Sequence, residues 1–197
     1  MVSDPDAALM LAFRGGDESA FRALFEKHGR AMVAFCRRFT RDPSRAEELA
    51  QDVFLKVYRS ADGYEPTARF TTFLYRIATN HCLNEVRRAS RDPQPGHDPR
   101  ADDGAPLDPD ALPSTGASPE DEATGRALER SVERLLARLP ENQRAAFVLC
   151  RFQGLSYEDI AQVLGVTVPA VKSLVHRATV AAAEALAPFA GGEGATA

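Results

Sequence analysis

Between Gly154 and Ala178 the chain reads G-L-S-Y-E-D-I-A-Q-V-L-G-V-T-V-P-A-V-K-S-L-V-H-R-A, and no other stretch limits the fold as much. Ser156 is placed to cap a helix N-terminus, with Asp159 three residues on to support the first turn. Ile160, Ala161 and Leu164 then recur at helical spacing. Gly165 stands where a helix needs a left-handed residue to stop. Thr167 supplies a second cap, and Pro169 is tolerated in the first turn of the helix that follows. In that second helix Val171, Val175, Ala178 and Ala182 share one stripe, while Pro169, Lys172, Ser173, His176 and Arg177 share the opposite face. Two capped helices around a glycine either belong to an ordinary helical core or seat the second helix in a DNA major groove.

The remaining ordered segments are also helical. Residues 4–14 predict a short helix, and Asp17 caps a longer one over 18–39 with Phe21, Leu24, Phe25, Met32, Phe35 and Phe39 as its apolar set. Asp42-Pro43 is a cap followed by proline, starting a helix over about 44–60. Its core stripe is Ala46, Leu49, Ala50, Val53 and Val57. Phe54, Leu55 and Tyr58 lie off that stripe, and Leu55 shares a face with Glu48, Gln51, Asp52 and Arg59. These large residues either pack on a neighbouring helix or form a mixed polar–apolar docking face. A loop follows at 62–68, then a helix over 70–88. Phe70, Phe73, Leu74, Ile77, Ala78 and a part-buried His81 form its inner stripe; Thr72, Arg76, Thr79, Asn80 and Arg87 form its outer face. Arginines at 87, 88 and 91 beside the aromatics of 64–75 predict stacking surfaces with phosphate neutralisation, the pairing that single-stranded nucleic acid requires.

Residues 92–119 break the pattern. They hold seven prolines, and only Leu107 and Leu112 are large and apolar, so the segment reads as a disordered linker. Beyond it come helices over 120–139 and 141–153, the helix–turn–helix, and a Gly/Ala-rich tail over 188–197. The expected architecture is therefore all-α. It comprises an N-terminal helical bundle (1–91), an acidic Pro-rich linker (92–119) and a small C-terminal helix–turn–helix domain (120–187).

The net charge of −4 conceals a division. Residues 1–91 carry +3, 92–126 carry −7 and 127–197 are neutral, so positive charge is available locally for nucleic acid. Cys36, Cys82 and Cys150 are an odd number, widely spaced, and read as buried free thiols rather than a disulfide framework or zinc site. No run approaches the length of a membrane span, and the acidic start lacks a signal-peptide layout, which points to a cytoplasmic protein. Histidines at 28, 81, 97 and 176 are scattered, with no phosphate loop or nucleophile elbow, so neither an enzyme nor a bound cofactor is expected.

Taken together, the segments resemble the extracytoplasmic-function sigma factors of bacterial RNA polymerase, over about 10–91 and 120–187. A-E-E-L-A-Q-D-V-F-L-K-V-Y (46–58) resembles the helix that docks on the polymerase clamp. R-F-T-T-F-L-Y-R-I-A-T-N-H-C-L-N-E-V-R-R (69–88) resembles the helix that melts and reads the −10 element. R-L-P-E-N-Q-R-A-A-F-V-L (138–149), followed by residues 154–165, resembles the −35-binding domain. The resemblance implies core-polymerase contacts from Glu48, Gln51, Asp52, Leu55 and Arg59. It implies −10 contacts from Tyr64, Arg69, Phe73, Arg76, Asn80, Arg87 and Arg88, with an unstacked base received by loop 62–69. It implies −35 contacts from Pro169, Lys172, Ser173, His176 and Arg177. The partners implied are core polymerase (clamp and flap), duplex and single-stranded promoter DNA and, as the family often has one, an anti-sigma factor. The acidic linker would thread toward the active centre and RNA exit path. Family members commonly carry Trp at the position of Phe73 and Arg at those of Leu174 and Thr179, so this recognition helix is less basic. The competing class is a stand-alone helix–turn–helix regulator, which needs neither the 48–59 face nor the 64–88 segment.

Overall fold

A computed structural model describes residues 4–40, 42–91 and 119–189, with the side chains of 119–122 excepted. Among the described residues there are eight α-helices, one short 3-10 turn and no strand. The first four helices are α1 (Pro5–Arg14), α2 (Glu18–Arg37), α3 (Pro43–Arg59) and α4 (Phe70–Arg91). The second four are α5 (Pro119–Arg138), α6 (Glu141–Arg151), α7 (Tyr157–Leu164) and α8 (Val168–Leu186), and the 3-10 turn spans Ala187–Phe189. The expected linker lies outside the described residues, apart from Pro119, which opens α5, and so does the tail beyond Phe189.

Short polar side chains set the helix starts. Asp4, Asp17 and Asp42 each accept a backbone N–H from the first turn of α1, α2 and α3, and Pro5 and Pro43 follow two of them, where a missing N–H costs nothing. The helix–turn–helix is built as its sequence predicts. The Ser156 hydroxyl accepts the Asp159 N–H at 3.1 Å and donates to the Asp159 carboxylate at 2.7 Å. Gly165 closes α7 at φ +64°, a left-handed conformation that strains any residue with a Cβ. Thr167 then caps α8, accepting the Ala170 N–H at 3.4 Å.

In the N-terminal half, α2 packs on α1 and α3, and α4 lies across α3. Met10, Leu24, Met32, Phe35, Leu49, Val53, Val57, Phe70 and Leu74 are fully buried there. Each such side chain contributes about 1.5–3 kcal/mol by leaving water. In the C-terminal half, α8 packs on α5, α6 and α7, burying Val148, Leu149, Ile160, Val171, Val175 and Ala178. The two halves meet where α7 lies against α4.

Of the two alternatives for Phe54, packing on a neighbouring helix holds: it is buried, with the Phe25 ring of α2 edge-on against it at 4.8 Å. Three expectations change. Phe25 itself is 45% exposed instead of inside. Thr72 and Thr79 are buried, not on an open polar face, because α7 covers that side of α4. Cys150 is half-buried, whereas Cys36 and Cys82 are fully buried as free thiols with their Sγ atoms 3.7 Å apart.

Polar clips tie α3 to α4. Arg45 donates to Glu85 at 2.9 Å and to Glu48 at 2.6 Å, while Arg88 donates to Glu85 at 3.0 Å. The bond from Arg45, opposed by burial and aided by Arg88, holds the Glu85 carboxyl down at about 2. Its contribution to stability is therefore complete above the ordinary carboxylate range and is lost as pH falls toward 2. Glu85→Gln should cost about 1–2 kcal/mol at neutral pH. In denaturant titrations, the gap from the parent chain should shrink as pH is lowered through 4 and below.

Candidate polymerase and nucleic-acid interface

On α3, the face opposite the core carries Glu48, Gln51, Leu55 and Arg59, all exposed, with Asp52 half-exposed beside them. Leu55 is 51% and Tyr58 46% exposed. Tyr58 is held by other rings: it stands 4.8 Å from Phe13 and 5.2 Å from Phe21, and Phe21 meets Phe54 edge-on. Aromatic pairs of this kind add about 0.5–1.5 kcal/mol beyond burial. Two carboxylates of the face are held from behind. Glu48 receives Arg45, and Asp52 meets the His81 ring nitrogen of α4 at 3.2 Å. Neither Arg45 nor His81 is singled out for this role by the sequence; Arg45 reaches Glu48 within α3, three residues on, whereas His81 acts across a helix–helix contact. The expected half-burial of His81 is what the structure shows.

A second region surrounds the loop before α4. Its backbone is fastened from α1. The Asp4 carboxylate accepts the Phe70 N–H at 2.7 Å and the Asp6 N–H at 3.1 Å, serving the first turns of two helices. Arg14 donates to the Tyr64 carbonyl at 2.8 Å. Asp6 is buried; desolvation alone would raise its pKa, but bonds from Lys27 (2.6 Å) and His28 (2.9 Å) outweigh it and hold the carboxyl below its usual value. The His28 ring lies 5.6 Å from Phe70. Nothing in the local sequence of 62–70 reveals this fastening, whose two bonds join residues 50 and 66 positions apart.

Tyr64, expected as a stacking surface, is only 2% exposed. It packs edge-on against Phe73 at 5.0 Å, and its hydroxyl has no hydrogen-bond partner among the described residues. Burial, with Asp4 and Asp6 nearby, raises its pKa, so it stays a neutral phenol. With Glu65, Thr67, Thr72 and Arg76 it lines a pocket of about 50 Å³, which Gln162 of α7 also borders. Arg69, Arg76 and Asn80 are exposed and Phe73 half-buried, with the Arg76 guanidinium 5.8 Å from the Phe73 ring centre. Arg87 and Arg88 do not adjoin these aromatics. They sit five turns further along α4, about 25 Å from Phe70 at 1.5 Å per residue. Arg87 pairs with Glu141 at 2.7 Å and Arg88 with Glu85.

The third region is the outer face of α8. Pro169, Lys172, His176 and Arg177 are exposed, and Ser173 is half-exposed, accepting a bond from Arg177 at 2.9 Å. Leu174 packs partly against the core, and the Thr179 hydroxyl donates to the Val175 carbonyl at 2.8 Å, so neither adds charge to the face. Among the described residues no group of acidic, His or Cys side chains has the arrangement of a metal site, and no helix is long and apolar enough to cross a membrane.

The Sigma-70 region 2 family matches residues 24–92, and the Sigma-70 region 4 family matches residues 129–180. The RNA polymerase sigma-H factor of Pseudomonas aeruginosa is 34% identical, aligned over 96% of this chain and 97% of its own length. The ECF RNA polymerase sigma factor SigM of Mycobacterium tuberculosis is 35% identical over 88% of this chain and 80% of its own. Among solved structures, CnrH in complex with the cytosolic domain of CnrY superposes with a TM-score of 0.70 at 23% identity, covering 94% of this chain and 99% of that one, which speaks to the fold alone. Helices ending in a helix–turn–helix, with a separate exposed face on α3, define a promoter-recognition subunit. The chain belongs to the extracytoplasmic-function sigma factors. It is a non-catalytic factor that binds core RNA polymerase and promoter DNA and directs promoter-specific transcription initiation, rather than a stand-alone regulator.

The α1 clip makes the loop testable. Asp4→Ala removes the acceptor for two helix N-termini and should destabilise the chain by about 1–2 kcal/mol. Amide hydrogen exchange should accelerate at Phe70 and through 62–69 more than at α8.

Proposed function

We propose that the three regions divide the work of initiation. The α3 face, with Glu48, Gln51, Asp52, Leu55 and Arg59, docks on the polymerase clamp. The loop before α4, with Arg69, Phe73, Arg76 and Asn80, receives and holds the non-template strand of the −10 element. Arg87 and Arg88, far along α4, neutralise backbone phosphate beyond the pocket. Tyr64 supports the pocket wall from inside, packed against Phe73. Lys172, Ser173, His176 and Arg177, entering behind Pro169, contact the −35 duplex. Residues 1–91 and 120–187 act as two domains, joined by an acidic segment (92–119) that runs toward the active centre and RNA exit path, with the polymerase flap meeting the second domain. The setting is the cytoplasm, and an anti-sigma factor is a further protein partner.

The observation that carries this reading is Leu55. An apolar side chain half in water, ringed by Glu48, Gln51 and Arg59 and standing on a rigid helix, is the anatomy of a docking centre with a polar rim. Leu55→Asp places an unpaired charge there without touching the core. Core polymerase binding should weaken at least tenfold while the melting temperature holds, as read by titration and thermal unfolding. An unchanged affinity would reject the assignment.

Duplex recognition is checked separately. Lys172→Ala should weaken −35 duplex binding and lower the slope of log affinity against log salt by about 1, the value for one phosphate contact. A slope equal to that of the parent chain would show that Lys172 touches no phosphate.

A further inference from the structure

A groove of about 620 Å³ between α5, the start of α6 and the end of α8 takes no part in the three regions above. Its floor is Ser131, Leu135 and Leu139, which are 7%, 5% and 6% exposed. Across from the floor α8 presents Ala181 and Ala185, one turn apart, and such short side chains leave the space in front of it unfilled. Arg134 and Arg138 stand exposed along the α5 wall, and Glu184 along the α8 wall. Arg134 donates to the Ser131 hydroxyl at 2.9 Å. Neither arginine forms an ion pair among the described residues. A cavity of about 150 Å³ already takes benzene, so this groove has room for more than one large side chain. An apolar floor beside a cationic wall suits a peptide whose large apolar residues are separated by acidic ones.

One segment of the chain has that pattern. Residues 92–118 hold six acidic residues and one arginine, and Leu107 and Leu112 are their only large apolar residues. Both leucines fall in P-L-D-P-D-A-L-P (106–113), with Asp108 and Asp110 between them. The reach is sufficient. Ser131 and Leu135 lie about 18 and 24 Å from Pro119 along α5, at 1.5 Å per residue. The seven residues from Leu112 to Pro119 span at most about 25 Å, and the twelve from Leu107 at most about 43 Å. Turning back along α5, the segment therefore brings Leu112 to the near end of the floor and Leu107 to the far end. Prolines at 106, 109 and 113 bias the residues before them toward extended backbone and reduce the entropy lost on ordering.

We propose that in the free chain this segment occupies the α5–α8 groove, with Leu107 and Leu112 on the Ser131–Leu135–Leu139 floor and Asp108 and Asp110 toward Arg134 and Arg138. The groove is then a binding site for an acidic, proline-framed peptide that the chain itself supplies. Residues 92–105 alone are left to span the two halves. This concerns the free chain and does not depend on the path assigned to the segment on polymerase.

The test is backbone 15N relaxation and amide shifts of the full, 15N-labelled chain. Leu107→Ser with Leu112→Ser removes the apolar anchors, and Arg134→Glu with Arg138→Glu reverses the wall. All four positions lie outside the helical cores, and circular dichroism confirms folding of each variant. In the parent chain the order parameters of Leu107 and Leu112 should be about 0.8, and the amides of the reversed-wall variant at the same positions should fall below about 0.6. The leucine variant should shift the amides of Leu135, Leu139 and Ala185. Adding Asp108→Arg and Asp110→Arg to the reversed wall should restore the order. Values below about 0.6 in the parent chain, or groove amides that ignore the leucine changes, overturn the proposal. A swap that fails to restore order overturns the pairing of the two aspartates with the two arginines. Groove shifts that grow with protein concentration assign the groove to a second copy and overturn it as well. So do shifts produced by removing 190–197 in place of the leucine changes.

Discussion

Helix α4 has to satisfy two packing surfaces and keep a polar edge as well, and the arrangement of the whole chain follows from that. One side buries Phe70, Leu74, Ala78 and Cys82 among α1, α2 and α3. Another side lies under α7. What remains is the edge bearing Arg76 and Asn80. A helix held on two sides cannot shift along its axis without breaking core contacts, so the positions of Arg76 and Asn80 relative to the loop are fixed to within a side-chain rotation. The Asp4 carboxylate completes the restraint at the end where it matters. By accepting the Phe70 N–H, it satisfies a helix-terminal donor and ties the loop to α1 in one bond.

The polymerase face uses the same principle in a different form. Tyr58 is exposed, yet it is not loose, because its ring packs on Phe13 and Phe21, and Phe21 in turn on Phe54. Glu48 and Asp52 are exposed, yet each is paired from behind by Arg45 or His81. Ordering these side chains in advance removes part of the entropy that binding would otherwise cost, about 0.5–1.5 kcal/mol for each immobilised side chain.

Much of this was legible in the sequence because it is local. The caps at Asp17, Asp42, Ser156 and Thr167, the stop at Gly165 and the stripes of α3 and α8 depend on residues within one or two turns of each other. What the sequence obscured depends on contacts between distant segments. Thr72 and Thr79 read as an outer face because nothing near them announces that α7, some eighty residues on, will cover them. Phe25 lies at the surface instead of inside, and Phe54 could not be assigned to either of its alternatives, because which of two aromatic side chains is buried depends on the angle between α2 and α3. Tyr64 and the terminal arginines of α4 were placed together because sequence proximity ignores the length of a straight helix, which separates the two groups by about 25 Å.

The energies of the two sides of α4 differ in kind. On the side facing α1, α2 and α3, fully buried large side chains each contribute about 1.5–3 kcal/mol and lose it all on separation. On the side facing the C-terminal half, the Thr72–Asp159 bond, made to a carboxylate, nets about 1.5–3 kcal/mol and the neutral Tyr75–Gln153 bond about 0.5–1.5 kcal/mol. The Arg87–Glu141 pair is exposed and is worth about 0–1 kcal/mol. The stacking of Arg38 on Phe152 adds roughly another 0.5–1 kcal/mol. The two packing surfaces of α4 are therefore held by different forces, apolar burial toward α1, α2 and α3 and a set of hydrogen bonds and ion pairs toward the C-terminal half.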